Sequence, residues 1–163
     1  MKRNQIMLAL LVLAVCIGVW AAGRDQGNSG KPDFAGRWEL DTSHSSLGKM
    51  KRPTRMTLEA MHHGDTLHAI QTSYFDQAGG PDAVEGDWFL DGKQHPLGSD
   101  GQMISMSKWD GNTLVAERKS KDGSYDETIR LTLSSNGKTA TENMAVRDPN
   151  GSDKRKLVWQ KRG

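Results

Sequence analysis

The chain has 163 residues, a single-domain length, and its 35% hydrophobic content favours one inner layer of apolar side chains over a thick core. Its 22 Lys and Arg nearly balance 20 Asp and Glu, so the charge gives no case for binding nucleic acid. The single cysteine, Cys16, excludes an intramolecular disulfide, and its removal with a cleaved signal peptide would also exclude a thiolate metal site.

Residues 1–23 have the three-part layout of a secretory signal peptide. Lys2 and Arg3 precede an apolar run from Ile6 to Val19, and small residues follow. The run is shorter than the about 20 apolar residues of a membrane span, although an uncleaved anchor is the alternative. Cleavage predicts a periplasmic or secreted protein with no stable membrane span. It removes Cys16, interpreted as part of the signal core rather than as an acylation site, and leaves 20 basic and 20 acidic residues.

Beyond the signal, the chain reads as a linker followed by strands. Residues 24–33 are polar and Gly-rich, which predicts a flexible linker. From residue 34 onward, short runs of alternating apolar and polar residues are separated by turn signals such as Asp91-Gly92 and Asn136-Gly137. These runs predict strands near 34–41, 55–62, 66–75, 84–90, 93–97, 103–109, 113–120, 125–133, 139–146 and 155–160.

Many short strands with short links predict an all-β fold: an antiparallel up-and-down meander β-barrel of about 8–10 strands over residues 34–163. A barrel that closes on itself has no exposed edges, which suits so many strands. The domain is predicted to be helix-poor, because no amphipathic helix of convincing length occurs. The longest link, residues 42–54, is predicted to be a mobile loop over one end of the barrel.

Alternation along the strands indicates which side chains face inward. Met56, Leu58, Ala60 and His62 share one face of the second predicted strand, while other strands mix polar and apolar residues on both faces. A mixed interior suits a hydrated cavity or an amphipathic ligand. The residues predicted to line a ligand cavity are Met56, Leu58, Ile70, Tyr74, Trp88 and Ile129.

The segment Phe34-Ala35-Gly36-Arg37-Trp38 resembles the Gly-x-Trp signature of the lipocalins, members of the calycin group of small-molecule-binding barrels. The resemblance implies that Gly36 and Trp38 form a barrel floor beneath an arginine, for which Arg155 and Arg162 are the candidates. The chain departs from lipocalins in having no cysteine pair and no recognisable second motif. Three further stretches, 38–45, 109–114 and 136–139, are similar to exported bacterial lipocalin-like proteins of unassigned function.

Two kinds of site are weighed against structural roles. His62, His63 and His68 flank one hairpin and suggest a metal or haem site, but a two-residue turn at Gly64-Asp65 would put His62 and His68 on opposite faces. Asp82, Glu85, Asp87 and His95 could serve acid and base catalysis. No nucleophile elbow, phosphate loop or dinucleotide fingerprint accompanies them. We therefore expect no metal and no cofactor, and an enzyme is the less favoured class.

Three functions follow from these patterns. The favoured one is an exported lipocalin-like barrel that binds a small lipophilic or amphipathic molecule in its interior. The first alternative is a structural or protein-interaction barrel with a filled core and a partner in the cell envelope. The second alternative is a calycin-like isomerase or hydrolase.

Overall fold

The computed structural model describes residues 30–76 and 79–163. The predicted signal peptide and most of the predicted linker lie outside these residues. The described chain forms ten strands: β1 (Gly36–Leu40), β2 (Arg55–His63), β3 (Thr66–Tyr74), β4 (Asp82–Phe89), β5 (Gln94–Leu97), β6 (Met103–Asp110), β7 (Thr113–Ser120), β8 (Asp126–Leu133), β9 (Thr139–Asp148) and β10 (Gly151–Arg162). Each predicted strand is found, with bounds that differ by a few residues.

The ten strands form one antiparallel sheet in the order β4-β3-β2-β1-β10-β9-β8-β7-β6-β5. The first and last strands pair, with Trp38 opposite Lys161, so the sheet curls into a nearly closed barrel. Its two edge strands, β4 and β5, are not hydrogen-bonded to each other. The predicted all-β meander barrel is confirmed, and no helix occurs within residues 30–76 and 79–163. Accordingly, no helix in the described ranges is long and apolar enough to cross a membrane.

The geometry of the β2–β3 hairpin shows whether His62 and His68 lie on the same face of the sheet. His63 pairs with Thr66 across a two-residue turn in which Gly64 has a φ of +59°. Met61 therefore lies opposite His68, and side chains alternate so that His62 faces the barrel interior and His68 faces outward. Among the described residues no group of three or more His, Cys, Asp or Glu side chains is arranged to hold a metal ion.

One end of the barrel is packed by aromatic side chains. Trp38 is 2% exposed, and its indole Nε1 donates to the Phe34 carbonyl at 3.0 Å. Phe34 in turn stacks on Trp109, with ring centroids 6.1 Å apart. Lys161 supplies the cation over Trp38, with Nζ 5.2 Å from the ring centroid.

The cation over Trp38 is therefore neither Arg155 nor Arg162. The β1–β10 register places Lys161 opposite Trp38, whereas Arg155 pairs with Met144 six residues earlier on β10. Arg162 points to the opposite face and lies 3.2 Å from Glu39. Gly36 has a φ of +129°, and a Cβ there would lie 2.8 Å from Lys161 Cε, so the glycine leaves room for the lysine over the tryptophan.

The link between β1 and β2 is fastened to β10. Ser46 exchanges two backbone hydrogen bonds with Lys156, at 2.7 and 2.8 Å, and the Ser45 hydroxyl accepts from the Val158 amide at 2.9 Å. Leu47 in the same link belongs to the buried core. The sequence predicts a mobile loop here, and the structure instead shows one that is hydrogen-bonded to a strand and buried in part.

Candidate functional site: a cavity inside the barrel

The barrel encloses a cavity of about 550 Å³. Inward-facing side chains of the strands line it, and the apolar part of its wall is formed by Phe34, Trp38, Leu58, Leu67, Ile129 and Leu131. A cavity of this size lies within the range of about 300–1,000 Å³ that is usual for small-molecule sites. The interior is therefore hollow enough for a small ligand.

A row of small residues makes this space. Ala60 of β2 pairs with Ala69 of β3, which pairs with Gly86 of β4, and all three line the cavity. A Cβ at Gly86 would have no heavy atom within 4 Å, so the space beside it is open. Larger side chains at these positions would fill the interior, as they do at the aromatic end.

The cavity reaches the surface beside the unpaired edges of the sheet. Val84 of β4 lies on the inner face, opposite Gln71, yet it is 68% exposed. Val84, Leu97 and Gly98 line the cavity where β4 and β5 are not hydrogen-bonded. An exposed apolar side chain at such an opening indicates an entrance for an apolar molecule.

Charged groups cluster on the wall formed by β7 to β10. Arg118 Nη1 donates to Glu127 Oε2 at 3.1 Å, and the Arg118 guanidinium lies 5.3 Å from the ring centroid of Trp88 on β4. Arg155 Nε donates to Asp153 Oδ2 at 2.7 Å. Each arginine that lines the cavity thus already has a carboxylate partner.

Glu142 is the buried carboxylate of this wall, and Arg118 and Arg155 lower its pKa without forming a salt bridge to it. It is 8% exposed and lines the cavity, and its Oε2 accepts from Trp159 Nε1 at 2.9 Å. Among the described residues it forms no salt bridge. Burial raises the pKa of the Glu142 carboxyl, and the nearby Glu127 charge adds to the effect. The same environment raises the pKa of Tyr125 to about 12, chiefly through burial and then through Glu127.

The six residues predicted to bind a ligand fall into three groups. Leu58, Trp88 and Ile129 line the cavity. Met56 faces inward but lies within the buried core, outside the cavity wall. Ile70 and Tyr74 lie on the outer face, where Tyr74 is 36% exposed beneath Arg55. Ile70 pairs with Glu59 of β2 and Glu85 of β4 on the outer face, because alternate residues of a strand point to opposite faces.

Of the residues assigned to the barrel floor, Gly36 and Trp38 lie at the aromatic end, whereas Arg155 belongs to the charged wall. The residues weighed for catalysis are split. Glu85 and Asp87 flank His68, at 3.2 and 2.7 Å, while His95 lies 3.0 Å from Asp91 and stacks on Phe89. His95 therefore does not join Glu85 and Asp87 in one constellation.

Sequence reasoning missed the charged wall. The sequence does hold a signal for it, because Glu127 shares a strand face with Ile129 and Leu131, and Glu142 shares one with Ala140 and Met144. An acidic residue on an otherwise apolar strand face indicates a buried polar group. Which partners would meet it depends on the register of four strands, and that register is visible only in the structure.

Solved structures show the same fold. No family model matches the chain, and no curated protein matches it. Secretory abundant heat soluble protein 4 from Ramazzottius varieornatus is similar, with a TM-score of 0.55 and 16% identity over 83% of this chain and 98% of that one. Zebrafish ileal bile acid-binding protein, complexed with cholic acid, has a TM-score of 0.53 and 16% identity over 79% and 98%.

Fatty-acid-binding protein 1 from Echinococcus granulosus is also similar, with a TM-score of 0.54 and 11% identity over 80% of this chain and 98% of that chain. At such identities the likeness concerns the fold alone. The chain therefore shares the β-barrel fold of these proteins, which agrees with the barrel that the Gly36 to Trp38 resemblance implies.

Proposed function

We propose that the protein binds a small lipophilic or amphipathic molecule inside its barrel and acts as a carrier for it. The observation that carries this proposal is the cavity of about 550 Å³, with an apolar wall and a few polar groups at one side. Such a division is typical of sites that bury an apolar body and orient it by a polar end. The alternative of a filled structural barrel requires a packed interior.

The ligands of proteins with the same fold support the proposal. The zebrafish protein is a bile acid-binding protein complexed with cholic acid, and the Echinococcus granulosus protein is a fatty-acid-binding protein. Bile acids and fatty acids are thus lipophilic ligands of barrels with this fold. We further propose that the carrier acts after export, in the periplasm or outside the cell, on the strength of the signal-like segment at residues 1–23.

Filling the cavity tests the proposal. Gly86→Leu places a branched side chain where a Cβ meets open space, on a residue whose φ is not in the left-handed region. A ligand that loses contact for about two methylene groups loses about 1.6 kcal/mol of binding free energy, which is roughly tenfold in affinity. We expect Gly86→Leu to weaken the binding of N-phenyl-1-naphthylamine, a neutral lipophilic fluorophore, by at least about tenfold in a fluorescence titration.

The matched control is Ala83→Leu, on the exposed outer face of the same strand. This variant should bind the fluorophore with the affinity of the parent chain. Equal affinities for both variants would place the fluorophore outside the barrel and contradict the proposal. Failure of the parent chain to bind any neutral lipophile would contradict it as well.

A further inference from the structure

The charges around the cavity are unequal in a way that bears on the ligand. Two arginines and two glutamates line it from the inner face of the sheet, namely Arg118, Arg155, Glu127 and Glu142, and Asp153 beside Arg155 adds a third carboxylate. Glu85 and Asp87 flank His68 on the outer side of β3 and β4. Arg118 is paired with Glu127 at 3.1 Å, and Arg155 with Asp153 at 2.7 Å. Each cation thus has its own carboxylate partner, and Glu142 is a third carboxylate beside the two guanidinium groups.

Glu142 is the carboxylate of the charged wall that forms no salt bridge among the described residues. Its single hydrogen bond among the described residues comes from Trp159, a neutral donor, and the indole of Trp159 is fully buried. Burial of a carboxylate is strongly unfavourable because its hydration is lost, and Arg118 and Arg155, which act on Glu142 without forming a salt bridge to it, compensate that loss only in part. Its raised pKa reflects the same deficit. A ligand that brings a positive charge would supply the missing partner.

An anionic ligand faces the opposite situation. Its carboxylate could reach only the N–H groups that Glu127 and Asp153 leave free, since each guanidinium already has a carboxylate partner. It would also approach Glu127, Glu142 and Asp153, and like charges in contact at a binding site weaken binding. The wall therefore disfavours fatty-acid-like headgroups.

We infer that the cavity takes a lipophilic amine, whose ammonium group lies at Glu142 and whose apolar tail lies among Leu58, Ile129 and Leu131. This inference rests on the proposed function, since it assumes a ligand inside the barrel. The ammonium group would donate to the Glu142 carboxylate as a charge-assisted hydrogen bond in a site shielded from water. The apolar lining would take up the chain.

Three ligands of equal chain length distinguish a preference for amines from the binding of any lipophilic molecule. They are decylamine, decanol and decanoate, titrated by calorimetry at pH 7 below their aggregation concentrations. We expect decylamine to bind at least about tenfold more tightly than decanoate, with decanol between them. Tightest binding of decanoate would overturn the inference and leave the proposed function standing. Absence of binding for all three would contradict the proposed function itself.

Glu142→Gln tests the assigned residue, because the amide keeps the shape of the side chain and removes its charge. It should weaken decylamine binding by about tenfold and leave decanol within about twofold. The control is Glu59→Gln, an equal charge change on the outer face of β2, where Glu59 lies 3.3 Å from Arg37. Equal losses in both variants, or none in Glu142→Gln, would overturn the inference.

Discussion

Glu142 and Trp159 show how a barrel of this size holds a charged group in its wall. The indole Nε1 donates to the carboxyl at 2.9 Å, which satisfies the tryptophan and one oxygen of the glutamate. Burial still raises the pKa of Glu142, so the fold favours the protonated form. The residue therefore lowers the stability of the empty protein at neutral pH, a cost that a cationic ligand would offset.

The pH dependence of stability follows from this shift. Between the ordinary pKa of a glutamate and the raised pKa of Glu142, the folded chain holds one more proton than the unfolded chain. The favourable contribution of the protonated carboxyl is therefore present at low pH and is lost as the pH rises through the raised pKa. Each pKa unit of difference between the two states corresponds to about 1.4 kcal/mol.

We expect Glu142→Gln to have a higher free energy of unfolding than the parent chain at pH 7, with the difference shrinking towards pH 4. Urea unfolding at several pH values measures it. Glu59→Gln, on the outer face of β2, should show no such gain at pH 7. A Glu142→Gln variant that is less stable than the parent chain at pH 7 would contradict the raised pKa.

At the level of elements, the link between β1 and β2 is held against β10 by contacts far apart in sequence. The Lys49 amide donates to Asp153 Oδ1 at 3.1 Å, next to the paired Ser46 and Lys156. Gly48 makes this approach possible. It has a φ of +57°, and a Cβ there would overlap the Asp153 carboxylate and lie 2.8 Å from the Lys154 carbonyl oxygen.

Gly48→Ala and Gly64→Ala form a matched pair, because Gly64 has a φ of +59° and open space around it. Gly64→Ala should cost about 1–2 kcal/mol of unfolding free energy through its backbone conformation alone. Gly48→Ala should cost about 1–3 kcal/mol more, since it also forces the link away from β10. Urea unfolding measures both, and hydrogen exchange at the Ser46 amide should accelerate only in Gly48→Ala. Equal costs would mean that the link is not packed as described.

At the scale of the whole molecule, most of the strands and turns can be predicted from the sequence. Turn residues such as Gly64 and Gly137 mark reversals, and alternation marks strands, because both act over a few residues. Side-chain direction was harder to predict. Ile70 and Tyr74 look like apolar lining residues, but their position on β3 turns them outward, and an apolar residue on an outer strand face leaves no local signal.

The cavity and its charged wall depend on contacts between residues that lie still farther apart in the sequence. Ala60, Ala69 and Gly86 form a row of small residues only when three strands are in register. Arg118, Glu127, Glu142 and Arg155 come from four strands and form one cluster only because β7 to β10 lie side by side. Lys161 lies over Trp38 because β10 pairs with β1, the strand farthest from it in the chain. The hollow interior and the charge pairing are therefore properties of the whole, nearly closed sheet.

Native mass spectrometry of the full chain, purified gently from the cells that make it, tests most directly whether the barrel holds a small molecule. We expect one small molecule bound per chain, lost when the protein carries Gly86→Leu and retained when it carries Ala83→Leu. A chain that is always free of ligand, and whose tryptophan fluorescence does not change on addition of decylamine, decanol or decanoate, would contradict the account.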